Sequence, residues 1–105
     1  MVELLGGSDI RELADRLGVV PTKKLGQNFV TDPNTIRRIV AAAKLTGNEC
    51  VVEIGPGLGS LTLGLLEVAD SVISVEIDAK MAAALEQTIV KRAPDKNFTL
   101  VTHDA

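Results

Sequence analysis

The chain has 105 residues, of which 46% are hydrophobic, 24% are charged and only 2% are aromatic, with a formal net charge of −3. This length fits one domain with a single, mainly aliphatic core, and the acidic balance does not indicate a general nucleic-acid-binding protein. A lone cysteine, Cys50, excludes an internal disulfide, and because neither a signal peptide nor a membrane-spanning run is recognisable, we expect a cytoplasmic protein that does not bind membranes.

The first segment is predicted to be a leader followed by a short helix. Residues 1–7 show no period and are expected to be loose. Asp9 is a candidate N-cap, and Glu12 stands at capping-box spacing from it. Gly18 is typical of a residue that ends a helix, so we expect the helix to stop there.

A second helix is predicted after a loop over residues 19–32. Asp32 followed by Pro33 favours a helix start, because a carboxylate caps the first turn and proline is tolerated there. The apolar positions on one face of this helix are Ile36, Ile39, Val40 and Ala43. We expect this face to be buried.

The rest of the chain alternates between strands and helices. Apolar, mostly β-branched runs predict strands at 50–54, 71–77 and 98–103. The predicted helices, with their apolar stripes, are 60–69 (Leu61, Leu65 and Leu66) and 78–93 (Met81, Leu85 and Ile89). Because near-continuous apolar strands alternate with helices, we expect a parallel sheet with right-handed crossovers.

The segment VEIGPGLGS, residues 52–60, places three glycines between the first strand and the next helix. Missing Cβ atoms let the chain turn tightly and let a ligand approach the main chain, so this turn predicts a cofactor or anion site. The spacing departs from the dinucleotide fingerprint G-x-G-x-x-G, because Ser60 stands at its third glycine position. A phosphate-binding loop is excluded, since no lysine follows the glycines.

Acidic residues mark the ends of the three predicted strands. Glu53 precedes the glycines, and an acid there suits a cationic ligand better than a diphosphate. Glu76 lies about twenty positions after Gly55, where a carboxylate accepts hydrogen bonds from ribose hydroxyls. Asp104 follows the third strand, where it could accept from an adenine amine. The run E-x-G-x-G-x-G resembles the first motif of S-adenosylmethionine-dependent methyltransferases.

Four segments, KKLGQNFVTDP, VVEIGPGLGSLT, VEID and the closing HDA, together resemble the N-terminal part of the ribosomal RNA small-subunit adenine dimethyltransferases (KsgA type). The resemblance implies an α/β, Rossmann-like S-adenosylmethionine-dependent methyltransferase fold. The chain would hold its first βαβαβ half, a parallel three-stranded sheet preceded by N-terminal helices. Residues 1–22 would be a leader and short helix, and residues 23–105 the cofactor-binding part, truncated before the fourth strand.

The resemblance also implies a reaction, the transfer of methyl groups from S-adenosylmethionine to the exocyclic amines of two adjacent adenosines in small-subunit ribosomal RNA. The implied cofactor-binding residues are Asn28, Val30, Gly55 and Gly57 (beneath the methionine part), Glu76 (at the ribose) and Asp104 (at the adenine). The Asn-Leu-Pro-Tyr-type motif that orients the amine in this family is absent from the chain. We therefore assign no catalytic residue and expect the chain alone to be inactive.

Basic residues are concentrated in one stretch, although the whole chain is acidic. Between Val20 and Lys44 they are Lys23, Lys24, Arg37, Arg38 and Lys44, against the single acid Asp32. Such a segment favours contact with RNA phosphates, here those of an immature small ribosomal subunit. Neither His103 nor Cys50 has a partner at metal-ligand spacing, so both are interpreted as structural and no metal is expected.

Three other interpretations stay open at this point. One is a large-subunit ribosomal RNA adenine methyltransferase of the macrolide-resistance type, which shares QNF and the glycine turn. Another is a dinucleotide-binding half-domain of a dehydrogenase, and the third is a chain that only scaffolds RNA or ribosomal partners. Because the fold's sheet order begins 3-2-1-4, the strand at 51–54 would have an open edge, which predicts self-association or weak stability.

Overall fold

A computed structural model describes residues 2–18 and 32–103. The elements in chain order are α1 (Gly7–Leu17), α2 (Pro33–Ala42), β1 (Cys50–Ile54), α3 (Ser60–Val68), β2 (Ser71–Val75), α4 (Ala79–Arg92) and β3 (Phe98–Val101). This is the predicted order, although β2 and β3 each end two residues earlier than expected. No helix in these two ranges has the length and apolar character needed to cross a bilayer.

The three strands form one parallel sheet in the order β1-β2-β3, as predicted. Their carboxyl ends are aligned, since the Gly55 N–H donates to the Val75 carbonyl at 3.0 Å and the Glu76 N–H donates to the Val101 carbonyl at 2.9 Å. Gly55 and Glu76, which directly follow β1 and β2, therefore lie side by side at the carboxyl ends of the strands. Ligands bind at this end of the sheet in open α/β proteins.

Helices α3 and α4 pack against the face of the sheet that carries the buried residues Val72 and Ser74. Helix α3 is buried almost all round, at Thr62, Leu63, Gly64, Leu65 and Leu66. The buried part of α3 is thus wider than the single apolar face expected from the sequence, because α2 also packs on α3, with Ile36 and Val40 next to Gly64.

The other face of the sheet, here called the uncovered face, has no such packing. Its aliphatic residues are the exposed Val52, Ile54 and Val101 and the half-buried Ile73 and Val75. Val52 is 60% exposed and Ile54 is 64% exposed. Among the described residues, β1 pairs only with β2, so this face adjoins an open strand edge.

Residues 2–6 are not the loose leader that the sequence predicts. Val2 and Leu5 are buried in the core, and the Glu3 N–H donates to the Arg92 carbonyl at 2.9 Å. The Arg92 guanidinium in turn lies 3.2 Å from a Glu3 carboxylate oxygen and 3.2 Å from an Asp9 carboxylate oxygen. Apolar burial and ion pairing thus tie the segment to the end of α4.

Helix α1 begins at Gly7, two residues before the predicted cap at Asp9. Asp9 lies within the first turn, where its carboxylate accepts a hydrogen bond from the Gly6 N–H at 2.8 Å. The carboxylate thus satisfies a free N–H group at the helix start from inside the helix. The predicted end at Gly18 is confirmed, with a φ of 70°.

Helix α2 starts as predicted, with the Asp32 carboxylate accepting from the Asn34 N–H at 2.9 Å. Its buried face is narrower than the sequence indicates. Ile36 and Val40 are buried, but Ile39 is 44% exposed and Ala43 is exposed.

The turn between α2 and β1 is held by the carboxylate of Glu49. The Thr46 N–H and hydroxyl donate to it at 2.7 and 2.9 Å, and the Gly47 N–H donates at 3.0 Å. These bonds, that from the Thr46 backbone first, lower the pKa of Glu49 from 4.5 to about 2. The stabilisation from this depressed pKa is complete above pH 4.5 and is lost as the pH falls through about 2. This contribution of Glu49 therefore does not change with pH near neutrality.

Candidate functional site

The glycines after β1 differ in what surrounds them. Gly55, Gly57 and Gly59 have φ angles of 69°, 61° and 99°, in the left-handed region that side chains with a Cβ disfavour. A Cβ at Gly59 would lie 2.7 Å from Leu85 Cδ1, so this glycine permits the turn to pack on α4. A Cβ at Gly55 or Gly57 would meet nothing within 4 Å. These two glycines therefore border open space, as a turn that supports a ligand must.

A cavity of about 360 Å³ lies between the glycine turn, the start of α3 and one side of α2. This volume is within the range of small-molecule sites. Its walls are mainly apolar and comprise Ile36, Ile39, Glu53, Ile54, Gly55, Pro56, Gly57, Leu58, Ser60 and Leu61. Smaller cavities, of about 180 Å³ between α1 and α4 and about 240 Å³ between α2 and α3, lie away from the glycine turn.

Glu53 is the one acid among the residues that line this cavity. Its Oε1 accepts two hydrogen bonds, from Thr62 Oγ1 at 2.6 Å and from Ser74 Oγ at 2.9 Å. Both hydroxyl-bearing residues are fully buried. The carboxylate thus connects β1, α3 and β2 directly beside the glycine turn, and its position is fixed by two elements other than its own.

Glu76 lies at the next strand end but does not line this cavity. It is 8% exposed, and its Oε2 accepts from the Asp78 N–H at 3.1 Å. Asp78 caps α4, as predicted, by accepting from the N–H groups of Lys80 at 2.9 Å and Met81 at 3.1 Å. The two neighbouring acids therefore have separate tasks, and helix capping belongs to Asp78.

Asn28, Val30 and Asp104 lie outside the described residues, and their predicted cofactor contacts stay predictions. The boundary between residues 22 and 23 lies outside them as well. Among the residues that are described, no cluster of three or more His, Cys, Asp or Glu side chains is arranged to hold a metal ion.

Sequence reasoning missed four residues that shape the site. Thr62 and Ser74 fix the Glu53 carboxylate, and the signal for both is a hydroxyl within an otherwise apolar run. Ile36 and Ile39 form a wall of the cavity from α2. Their place at the site depends on how α2 packs against α3, which the helical period does not encode.

The comparison with protein families decides which fold family this site belongs to. The family described as "Ribosomal RNA adenine dimethylase" matches residues 21–105, most of the chain. The chain belongs to this family. The resemblance seen in the sequence is thereby confirmed, and the dehydrogenase half-domain loses its support.

Relatives of this adenine dimethylase-family chain include proteins named "Ribosomal RNA small subunit methyltransferase A". That of Corynebacterium glutamicum (strain R) is 65% identical over 92 residues, which cover 88% of this chain and 31% of the relative. That of Arthrobacter sp. (strain FB24) is 60% identical over 104 residues, covering 97% of this chain and 35% of the relative. The chain thus spans about a third of the length of the curated relatives it matches.

Solved structures similar to this adenine dimethylase-family chain have the same fold. The 23S rRNA methyltransferase ErmE has a TM-score of 0.63 at 38% identity, covering 72% of this chain and 30% of that one. A dimethyladenosine transferase from Plasmodium falciparum has a TM-score of 0.61 at 32% identity, covering 70% and 26%. Together with the parallel sheet, they confirm the Rossmann-like methyltransferase fold.

Proposed function

We propose that the chain is the S-adenosylmethionine-binding part of a ribosomal RNA adenine dimethyltransferase. The observation that carries this proposal is the open space beside Gly55 and Gly57, at the strand end next to Glu76. The residues present suit this cofactor, since bare main chain leaves room for its methionine part and the cavity wall carries an acid, Glu53, that suits a sulfonium. The family match supports the same assignment.

When bound, the cofactor supplies an electrophilic methyl group. The residues of this chain bind and orient it. The main chain at Gly55 and Gly57 would support the methionine part. The Glu76 Oε2 accepts from the Asp78 N–H, and within the part of the chain that the structure describes Oε1 has no hydrogen-bond donor, so Oε1 would accept from the ribose hydroxyls. Alignment of donor and amine is the main catalytic need of such a transfer, and this half of the fold would fix the donor.

The proposed substrate is small-subunit ribosomal RNA, at the exocyclic amines of two adjacent adenosines. The names of the relatives favour it over large-subunit RNA, because the small-subunit enzymes are 57–65% identical to this chain, whereas ErmE, a 23S rRNA methyltransferase, is 38% identical. The proposed partner is the immature small ribosomal subunit, and the proposed compartment is the cytoplasm.

Helix α2 offers a surface for this RNA. Arg37, Arg38 and Lys44 are exposed on α2 and the turn after it. Arg37 also forms an ion pair with Glu67 at 3.5 Å, whereas the Arg38 guanidinium donates a hydrogen bond to the Thr35 hydroxyl at 3.4 Å. Since α2 also forms a wall of the cavity, phosphates bound here would bring the RNA close to the cofactor.

Alanine at Glu76 is expected to weaken cofactor binding. Losing hydrogen bonds to a charged carboxylate costs about 1.5–3 kcal/mol, or roughly tenfold to a hundredfold in the dissociation constant of S-adenosylhomocysteine. Isothermal titration of the chain with S-adenosylhomocysteine and, separately, with NAD measures this effect. Glu86→Ala, which removes an exposed carboxylate on α4, is the matched control and should bind like the wild type.

This titration and a separate measurement of RNA binding distinguish the candidate functions. A wild-type chain that prefers NAD would contradict the methyltransferase proposal. Binding of small-subunit RNA that does not change when Glu76 and Asp104 are replaced would favour a chain that only scaffolds RNA.

The chain is also expected to self-associate through β1 and the uncovered face. Apolar side chains next to an unpaired strand edge favour pairing with a second copy. Val52→Lys should shift sedimentation velocity profiles toward the monomer, because a charge on this face opposes pairing. Val90→Lys is the control, since Val90 is 66% exposed but lies on α4. A wild-type chain that stays monomeric at high concentration would refute the prediction.

A further inference from the structure

The charge of Glu53 is fixed in place but is not neutralised by any described residue. Its carboxylate accepts from the Thr62 and Ser74 hydroxyls, which are neutral donors, and both bonds go to Oε1. Glu53 takes no part in the ion pairs that Arg37 and Arg92 form with Glu67, Glu3 and Asp9. Among residues 2–18 and 32–103, the Glu53 carboxylate therefore has no cationic partner at the wall of the cavity.

The apolar surroundings of the Glu53 carboxylate strengthen its attraction for a cationic group bound in the cavity. The other residues that line the cavity are mainly apolar, including Ile36, Ile54 and Leu61. Charges interact more strongly beside such walls than in bulk water, because the local dielectric constant is lower. Since Thr62 and Ser74 are completely buried, the carboxylate cannot easily turn away from the site.

We infer that Glu53 determines the preference of the site for S-adenosylmethionine over S-adenosylhomocysteine. This inference rests on the proposed function. The two molecules share the adenosine and the amino acid, with its ammonium and carboxylate groups. They differ in the methyl group and in the positive charge on sulfur. A fixed carboxylate attracts the sulfonium but not the neutral thioether, so the Glu53 charge favours the methyl donor.

This preference also assists turnover. When the methyl group moves to the adenine amine, the sulfur keeps the electron pair of the broken bond and becomes neutral. The new nitrogen–carbon bond leaves the nitrogen positively charged until it gives a proton to water. The attraction between Glu53 and the sulfur thus ends with the reaction, which favours exchange of the spent cofactor for a new one.

The test is the ratio of two dissociation constants, measured on the full chain by isothermal titration. Glu53→Gln removes the charge but keeps a carbonyl oxygen to accept from Thr62 and Ser74. We expect it to weaken S-adenosylmethionine binding about fivefold and to change S-adenosylhomocysteine binding much less. Glu67→Gln removes a carboxylate from α3 that does not line the cavity, and both of its constants should match those of the wild type.

The possible outcomes distinguish this inference from the proposed function. A wild-type chain that binds neither molecule would refute the proposed function. A Glu53→Gln variant that loses both affinities equally, or neither, would overturn the inference, because a structural role predicts no change in the ratio.

If the Glu53→Gln variant does not fold, the inference is tested on the wild-type chain by comparing its affinities for sinefungin and S-adenosylhomocysteine. Sinefungin has a protonated amine where the sulfonium methyl stands. It should bind more tightly than S-adenosylhomocysteine, and equal affinity would overturn the inference.

Discussion

Alanine at Gly57 is expected to weaken S-adenosylmethionine binding about tenfold or more, because its methyl group would occupy space that the ligand needs. The protein should stay folded, since a Cβ at this position meets nothing within 4 Å. The left-handed conformation, at a φ of 61°, adds a stability cost of about 1–2 kcal/mol. Isothermal titration measures the affinity, and thermal unfolding measures the stability.

The variant Gly18→Ala is a control that separates the effect of Gly57→Ala on cofactor affinity from its effect on stability. Gly18 has a φ of 70° and open space around a Cβ, but it ends α1 and does not line the cavity. Its alanine variant should lose as much stability as Gly57→Ala and keep the wild-type affinity. Equal affinities in the two variants would mean that the space beside Gly57 is not where the cofactor lies.

Alanine at Gly64 is expected to destabilise the fold by about 1–3 kcal/mol, because it overfills the contact between α2 and α3. Its Cβ would clash with Ile36 Cγ2 and would lie 3.2 Å from Val40 Cγ2. Alanine normally stabilises a helix relative to glycine by about 1 kcal/mol. A lower free energy of unfolding for Gly64→Ala would therefore indicate crowding between α2 and α3. Chemical denaturation gives the free energy of unfolding.

Adding Ile36→Ala to Gly64→Ala tests the cause. Each single change should destabilise the protein, whereas the double variant should lose less than the sum, because the smaller side chain makes room for the new methyl group. Additive losses would show that Gly64 is needed for a reason other than contact with α2.

The sequence was sufficient for the order of the elements and for the parallel sheet, because both follow from local signals. The β-branched runs predicted the strands, and Asp32 and Asp78 marked helix starts that the structure confirms. The glycine spacing and Glu53 likewise indicated a methyltransferase, and the four motif segments together predicted the family, which the family match confirms. Such features depend on a few neighbouring residues, so a pattern can reveal them.

Features that depend on tertiary packing could not be predicted in this way. Ile39 has the period of a buried residue, yet it lines the cavity, because Ile36 and Val40 make the close contact around Gly64. The order in residues 2–6 depends on Arg92, which is far away in the sequence. The hydroxyls that hold Glu53 come from two other elements, so no local pattern could pair them with it.

The uncovered face has a consequence for how a relative of full length is made on the ribosome. Synthesis proceeds from the N-terminus, so the part that corresponds to this chain emerges while about two thirds of the polypeptide is still to be translated. During that interval the apolar surface of β1 is in contact with water. We therefore expect nascent chains of this length to be clients of ribosome-associated chaperones, and expect release from the chaperone once later segments have emerged.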